Sequence, residues 1–403
     1  MTSRPHVPMS APDITELERN AVAEVMRTSH LSIGPQVQQF ERAVSEYIGG
    51  GHSVAVNSGT SGLHLAVIAA GAGEGDAVLT TPFSFIASAN AILYERATPI
   101  FVDVDPLSGN IDTDQLAACV DDLMSGNGER WIPRKLRGKK LNLKALLPVD
   151  AFGQPADMDA ITAVARKHSL PVIEDSCEAI GAHYKGRPAG TLGDAGVFAF
   201  YPNKQMTTGE GGVVITKRDD WAELFRSLRN QGRDVFDAWL SHTRLGYNYR
   251  LDELSSALGV AQLSRLDELL AKRERVAGWY NERLVGAELI EVPRILPTTT
   301  RMSWFVYVVR IDPPADRGEV LKLLDADGIP SRPYFTPIHL QPFYANTFGY
   351  QRGDFPVTER LGDVSLALPF SSVMTEEQVD YVCTRLTAAV EATAGRSAAP
   401  TRR

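Results

Sequence analysis

SVAVNSGTSGLHLAVIAA, residues 53–70, joins a strand-like run (53–56) to an apolar helical run through six small residues, NSGTSG at 57–62. The rhythm continues with a strand at 77–80, a helix over 85–94 and a strand at 98–102. Strands separated by helices and short connections predict an α/β fold, with a mostly parallel sheet covered on both faces. Farther along, strands are expected at 144–149 and 171–175 around a helix at 158–168, and at 196–200 and 213–216. Small residues at 57–62 expose backbone N–H groups where the first helix begins, a cradle suited to a phosphate.

The last two runs bracket FAFYPNKQMTTGEGG, residues 198–212, whose proline, threonines and glycines read as a tight loop around Lys204. A lysine there can be a solvated loop residue. Upstream, PVIED closes on Asp175 at the carboxyl end of a strand, where open α/β sheets meet their ligands. A lysine for a Schiff base, an acid for a pyridine nitrogen and a phosphate cradle are what pyridoxal phosphate (PLP) needs.

NSGTSG, PVIEDSCEAIGA, FAFYPNKQMTTGEGG and LGYNYRLDELSSALG (245–259) together resemble the DegT/DnrJ/EryC1/StrS family of PLP-dependent sugar aminotransferases, from about residue 8 to about 385. The resemblance implies fold type I: a large PLP-binding domain (1–260) with a mostly parallel, seven-stranded-type sheet, and a smaller α+β domain (261–390). Residues 391–403 are expected to be a disordered tail. It implies Lys204 as the Schiff-base lysine and Asp175 as partner of the ring nitrogen. Gly59, Thr60 and Ser61 fall at the phosphate, Phe85 on the ring face, and Glu178 beside the phenolic oxygen. A carboxylate facing that oxygen repels it unless one of the two holds a proton. Most of the family has a phosphate-binding serine five residues before the lysine; here it is Ala199. Asn248 matches the residue that reaches a neighbouring subunit's phosphate, which implies a homodimer with composite sites. Arg250 and His339 are substrate-contact candidates, each with a plainer reading: a surface ion pair for the arginine, a structural role for the histidine. Phe83 and Phe85 likewise have a plain reading as core residues.

The 403 residues carry 44% hydrophobic and 22% charged side chains and a net charge of −8, without a basic stripe interleaved with aromatics. That excludes nucleic acid as the expected partner. No apolar run reaches membrane-span length and MTSRPHVPMS has no signal-like core, so a cytoplasmic location is expected. Cys119, Cys177 and Cys383 read as free thiols, and no metal site is expected. An N-terminal helix over 12–27 should bury Ile14, Leu17, Val22, Val25 and Met26, capped around Ser10 and Asp13, and pack toward the small domain. A long helix from Asp252, its N-cap, to about Ala271 should bury Leu254, Leu258, Leu266, Leu269 and Leu270. The basic stretch 125–140 looks like an inserted loop; solvated charge is the preferred reading over contact with a diphosphate.

The expected activity is transfer of an amino group from glutamate or glutamine to a keto-sugar, with PLP cycling through pyridoxamine phosphate. The acceptor fitting the resemblance is a nucleotide-linked 4-keto-6-deoxyhexose. A keto-cyclitol acceptor and a non-catalytic, PLP-binding regulatory protein are the alternatives.

Overall fold

A computed structural model describes residues 5–233 and 241–397. Seven strands lie side by side in the order Thr98–Phe101, Asp76–Thr80, Asn142–Leu146, Ile173–Asp175, Ala195–Ala199, Gly212–Thr216, His52–Val56. Parallel bridges Leu146–Val172 and Val149–Asp175 join the halves. Only Gly212–Thr216 runs against its neighbours. The strand cores are buried on both faces, as the β-rich runs without polar alternation require.

Register fixes the site. Asp175 pairs with Val197, and Gly212 pairs with both Ala199 and Val56. The end of one strand, the start of the helix Gly59–Ala69 and the loop carrying Lys204 therefore converge at one end of the strands. A Cβ on Gly212 would stand 2.8 Å from the backbone of Ser58 and Gly59, so only glycine permits this approach.

A second, antiparallel sheet, ordered Ile290–Glu291, Tyr307–Ile311, Ser365–Leu368, Arg332–Pro333, is covered by the helices Arg317–Ala326 and Glu376–Ser397. The helix Leu266–Leu284 serves both cores. Leu266, Leu269 and Leu270 pack with Phe198, Phe200 and Ile215, whereas Val276, Tyr280 and Leu284 pack with Tyr307 and Leu366.

Several boundaries differ from expectation. The first helix is Glu16–Met26, capped by Thr15 in a reciprocal box with Glu18, not by Ser10 and Asp13. Its buried side is Glu18 and Val25, while Leu17 and Met26 face outward. Glu18 is held by Gln262 and Arg265, which fastens this helix to Glu253–Ser264; Val7, in the segment before it, packs on the C-terminal core instead. Burial pushes the Glu18 carboxyl up, but the bonds from Thr15 and Arg265 outweigh it and bring the pKa to about 2. The expected single helix from Asp252 breaks at Arg265, whose guanidinium turns to Asp13, Glu18 and Glu268. Asp252 caps it as expected, but Leu254 and Leu258 are half-buried, and small residues such as Ser256, Ala257 and Gly259 face the core. The last helix continues to Ser397 through the start of the segment expected to be a tail; 398–403 lie outside the described residues.

Candidate active site

Lys204 is fixed by its loop before its side chain acts. Its N–H donates to the Tyr201 carbonyl, and Thr207 Oγ1 and Thr208 N both donate to the Phe200 carbonyl. Gln205 Nε2 reaches the Glu178 carbonyl and Ser303 Oγ, tying the loop to two other segments. The Lys204 ammonium enters a cavity of about 410 Å³, where it lies 3.7 Å from the Phe305 ring centroid and 3.5 Å from Glu178 Oε1.

Asp175 lines the same cavity. Ser88 Oγ donates to its Oδ2 at 2.6 Å and the Cys177 N–H to its Oδ1 at 3.2 Å, so the carboxylate is oriented with acceptor capacity to spare. Glu178 accepts from the Phe152 N–H at 2.9 Å. Burial pushes its carboxyl above the usual range, and the Lys204 charge opposes that rise only in part. Deeper, Asp150 accepts from Ser176 Oγ and the Ala156 N–H, and burial raises its pKa as well.

The cradle at the helix start is formed by backbone. Ser58 caps the helix Gly59–Ala69 by accepting from the Ser61 N–H. The Gly59 and Thr60 N–H groups lie in the first turn, where a helix supplies no internal acceptor. A Cβ on Gly59 would lie 2.7 Å from Ala199 Cβ and 2.8 Å from Cys177 Sγ. Ala199 therefore presses directly on the cradle. Ser61 differs from expectation: its hydroxyl donates to Asn57 Oδ1 at 2.7 Å, and the cavity is lined by Ser58, Gly59 and Thr60 instead. Phe85 stands at the cavity rim, 63% exposed, in the loop before a helix that starts at Ala87.

These groups suit PLP on their own geometry: an amine, a carboxylate, free N–H groups at a helix start and an exposed aromatic face share one cavity.

Neither substrate-contact candidate lies in it, and Asn248, expected at a neighbouring subunit's phosphate, lies outside it as that reading requires. His339 is fully enclosed, with Nε2 3.0 Å from Glu359 Oε1 and its ring against Phe355, so it has no surface to offer a substrate. Arg250 donates to Asn230 Oδ1 and lines a separate pocket with Arg226 and Arg229. Asn248 is exposed and meets this region only through its backbone carbonyl, which accepts from Asn57 Nδ2. The basic loop is also elsewhere: Arg134 binds Asp354 and the Gly349 carbonyl, Lys135 the Asn346 carbonyl, and Arg130 pairs with Asp122. The diphosphate reading of that loop gains nothing from this placement, and the loop is less free than the solvated reading supposed, since Ile132 and Pro133 are buried. Conversely Ser88, Phe305 and Tyr334 belong to the site and carried no local signal in the sequence.

The profile of the DegT/DnrJ/EryC1/StrS aminotransferase family matches residues 12–387. The chain belongs to this family. GDP-perosamine synthase of Caulobacter vibrioides is 40% identical over 390 residues, covering 96% of this chain and 99% of that protein. The DesV structure from S. venezuelae, in complex with a ketimine intermediate, superimposes with a TM-score of 0.84 at 31% identity, covering 96% of this chain and 99% of that one. A putative sugar aminotransferase from Streptococcus pneumoniae in its PLP form gives 0.86 at 26% identity, covering 96% and 100%. This member of the family is a PLP-dependent sugar aminotransferase, and its described helices include none long and apolar enough to cross a membrane.

Proposed function

We propose that this aminotransferase moves an amino group from glutamate or glutamine to a nucleotide-linked 4-keto-6-deoxyhexose, with Lys204 and Asp175 as its catalytic residues. The observation that carries the reading is that both side chains open into one cavity beside the backbone cradle at Gly59 and Thr60. Bound there, PLP supplies an electron sink. Lys204 would hold the cofactor covalently, and its amine, once free, would serve as general base and acid. Asp175, steadied by Ser88, would face the ring nitrogen and favour its protonated form. Glu178 would face the phenolic oxygen; burial raises its pKa, which favours the protonated form and so lessens the repulsion between two anions. Phe85 covers the ring face.

The phosphate has no serine at position 199. A second copy of the chain supplies Asn248 across a homodimer interface. The exposure of Asn248 and the 89% exposure of Leu245 support a surface that another subunit covers. The acceptor class rests on the relation to GDP-perosamine synthase.

The decisive experiment offers keto-sugar nucleotides and keto-cyclitols to the purified protein, with glutamate or glutamine as donor. Amination of a 4-keto-6-deoxyhexose nucleotide is expected; turnover of cyclitols alone would overturn the substrate reading. Loss of the PLP absorbance on adding donor separates an enzyme from a protein that only binds the cofactor.

A further inference from the structure

Arg273 lies in the helix Leu266–Leu284, is 1% exposed, and pairs with no carboxylate among the described residues. Its guanidinium spans two backbones. Nη2 donates to the carbonyls of Lys204 at 2.6 Å and Asn203 at 3.3 Å. Nη1 donates to those of Phe305 at 3.1 Å and Trp304 at 3.2 Å. The Phe305 ring is the one that faces the Lys204 ammonium. One side chain thus joins the backbone under the lysine to the backbone under its aromatic wall. Burial lowers the pKa of Arg273 only to about 10, which leaves it charged at neutral pH.

A charge buried without a counter-ion is costly, and an apolar side chain of similar length fills such a space at less cost. Packing alone therefore does not account for an arginine here. Its planar fork does, because it satisfies four carbonyls at fixed spacing, which an ammonium cannot reproduce.

We propose that Arg273 is a positioning residue for Lys204: it sets the lysine's distance and direction relative to the Phe305 wall, and through them the rate of the steps in which the amine takes part. The inference rests on the assignment of Lys204 as the cofactor lysine. The nitrogen concerned also faces Glu178, with Asp175, Cys177, Tyr201, Glu210 and Tyr334 lining the cavity. A displacement of the amine by about an ångström is enough for a tenfold to hundredfold rate loss.

The test adds PLP to the apo forms of the wild type, Arg273→Met and Arg273→Lys and follows the absorbance of the lysine adduct. The half-reaction is then run with glutamate and α-deuterated glutamate. For Arg273→Met, adduct formation about tenfold slower is expected, with a larger deuterium isotope effect as proton transfer becomes rate-limiting. Arg273→Lys should recover part of both. Wild-type values in Arg273→Met would overturn the proposal, as would an equal loss in both variants with an unchanged isotope effect. If Arg273→Met does not fold, Arg273→Lys decides alone: a slowed adduct in a protein of normal thermal stability supports the proposal, and a wild-type rate overturns it. Absence of any adduct in the wild type would instead remove the assignment of Lys204.

Discussion

Two acid–base pairs invite comparison in this chain, Lys204 with Glu178 in loops at the cavity and His339 with Glu359 on helical segments. Both are largely enclosed. In the second the carboxylate is well supplied: Glu359 accepts from His339, from the Gly353 N–H and from the Phe355 N–H, and its pKa is lowered because those bonds outweigh its burial. The first is left short of donors. Glu178 has one backbone N–H and a lysine at 3.5 Å, and burial raises its pKa. A carboxylate whose acceptors are all filled holds a fold together; one left underfilled beside a cavity has its charged form disfavoured and keeps a place for a ligand.

That contrast fails most plainly if Lys204 is dispensable. Lys204→Ala should abolish turnover and borohydride-trapped cofactor while thermal stability is retained; a label on another lysine would refute the assignment. Asp175→Asn should bind PLP yet lose several orders of magnitude in kcat, because an amide cannot keep the ring nitrogen protonated. Asn248→Ala should weaken PLP affinity roughly tenfold to a hundredfold, the worth of about 1.5–3 kcal/mol for a hydrogen bond to a charged group. Ala199→Ser places a hydroxyl against the Gly59 cradle and should restore part of that loss, read as coupling in a double-mutant cycle. Normal affinity in Asn248→Ala would remove the partner's role.

The histidine pair should answer differently. Burial lowers the His339 pKa below its ordinary 6.5, so the unfolded chain takes up the proton more readily than the folded one. Its contribution to stability is complete above about pH 6.5 and is lost as the pH falls toward the lowered value. His339→Gln should flatten the fall of Tm over that window and change kcat by less than about threefold. A large loss of kcat without a stability change would place His339 at the chemistry after all.

What could be read in advance was local. The strand and helix periods at 53–102, the Asp175 strand end and the glycine-rich loop at Lys204 lie within short segments whose backbone chemistry leaves few choices. Boundaries are less legible where several polar residues compete to cap a helix, as Ser10, Asp13 and Thr15 do, or where a charged residue breaks one, as at Arg265. For His339 the sequence offers a structural role beside a substrate contact, and the Glu359 bond favours the structural one; Arg250 donates to Asn230 rather than to a surface carboxylate.

By itself, then, the sequence determined the layered α/β fold and membership of an aminotransferase family, and it singled out Lys204 and Asp175 as candidates. Only the tertiary structure decided which groups surround that lysine. Ser88 on Asp175, Phe305 over the Lys204 amine and Arg273 beneath both backbones come from segments 69 to 101 residues from Lys204 or 87 from Asp175. Their meeting depends on strand register and on a helix shared by two cores. No short window of residues encodes such distances, because the free energy that selects them comes from burying both cores together.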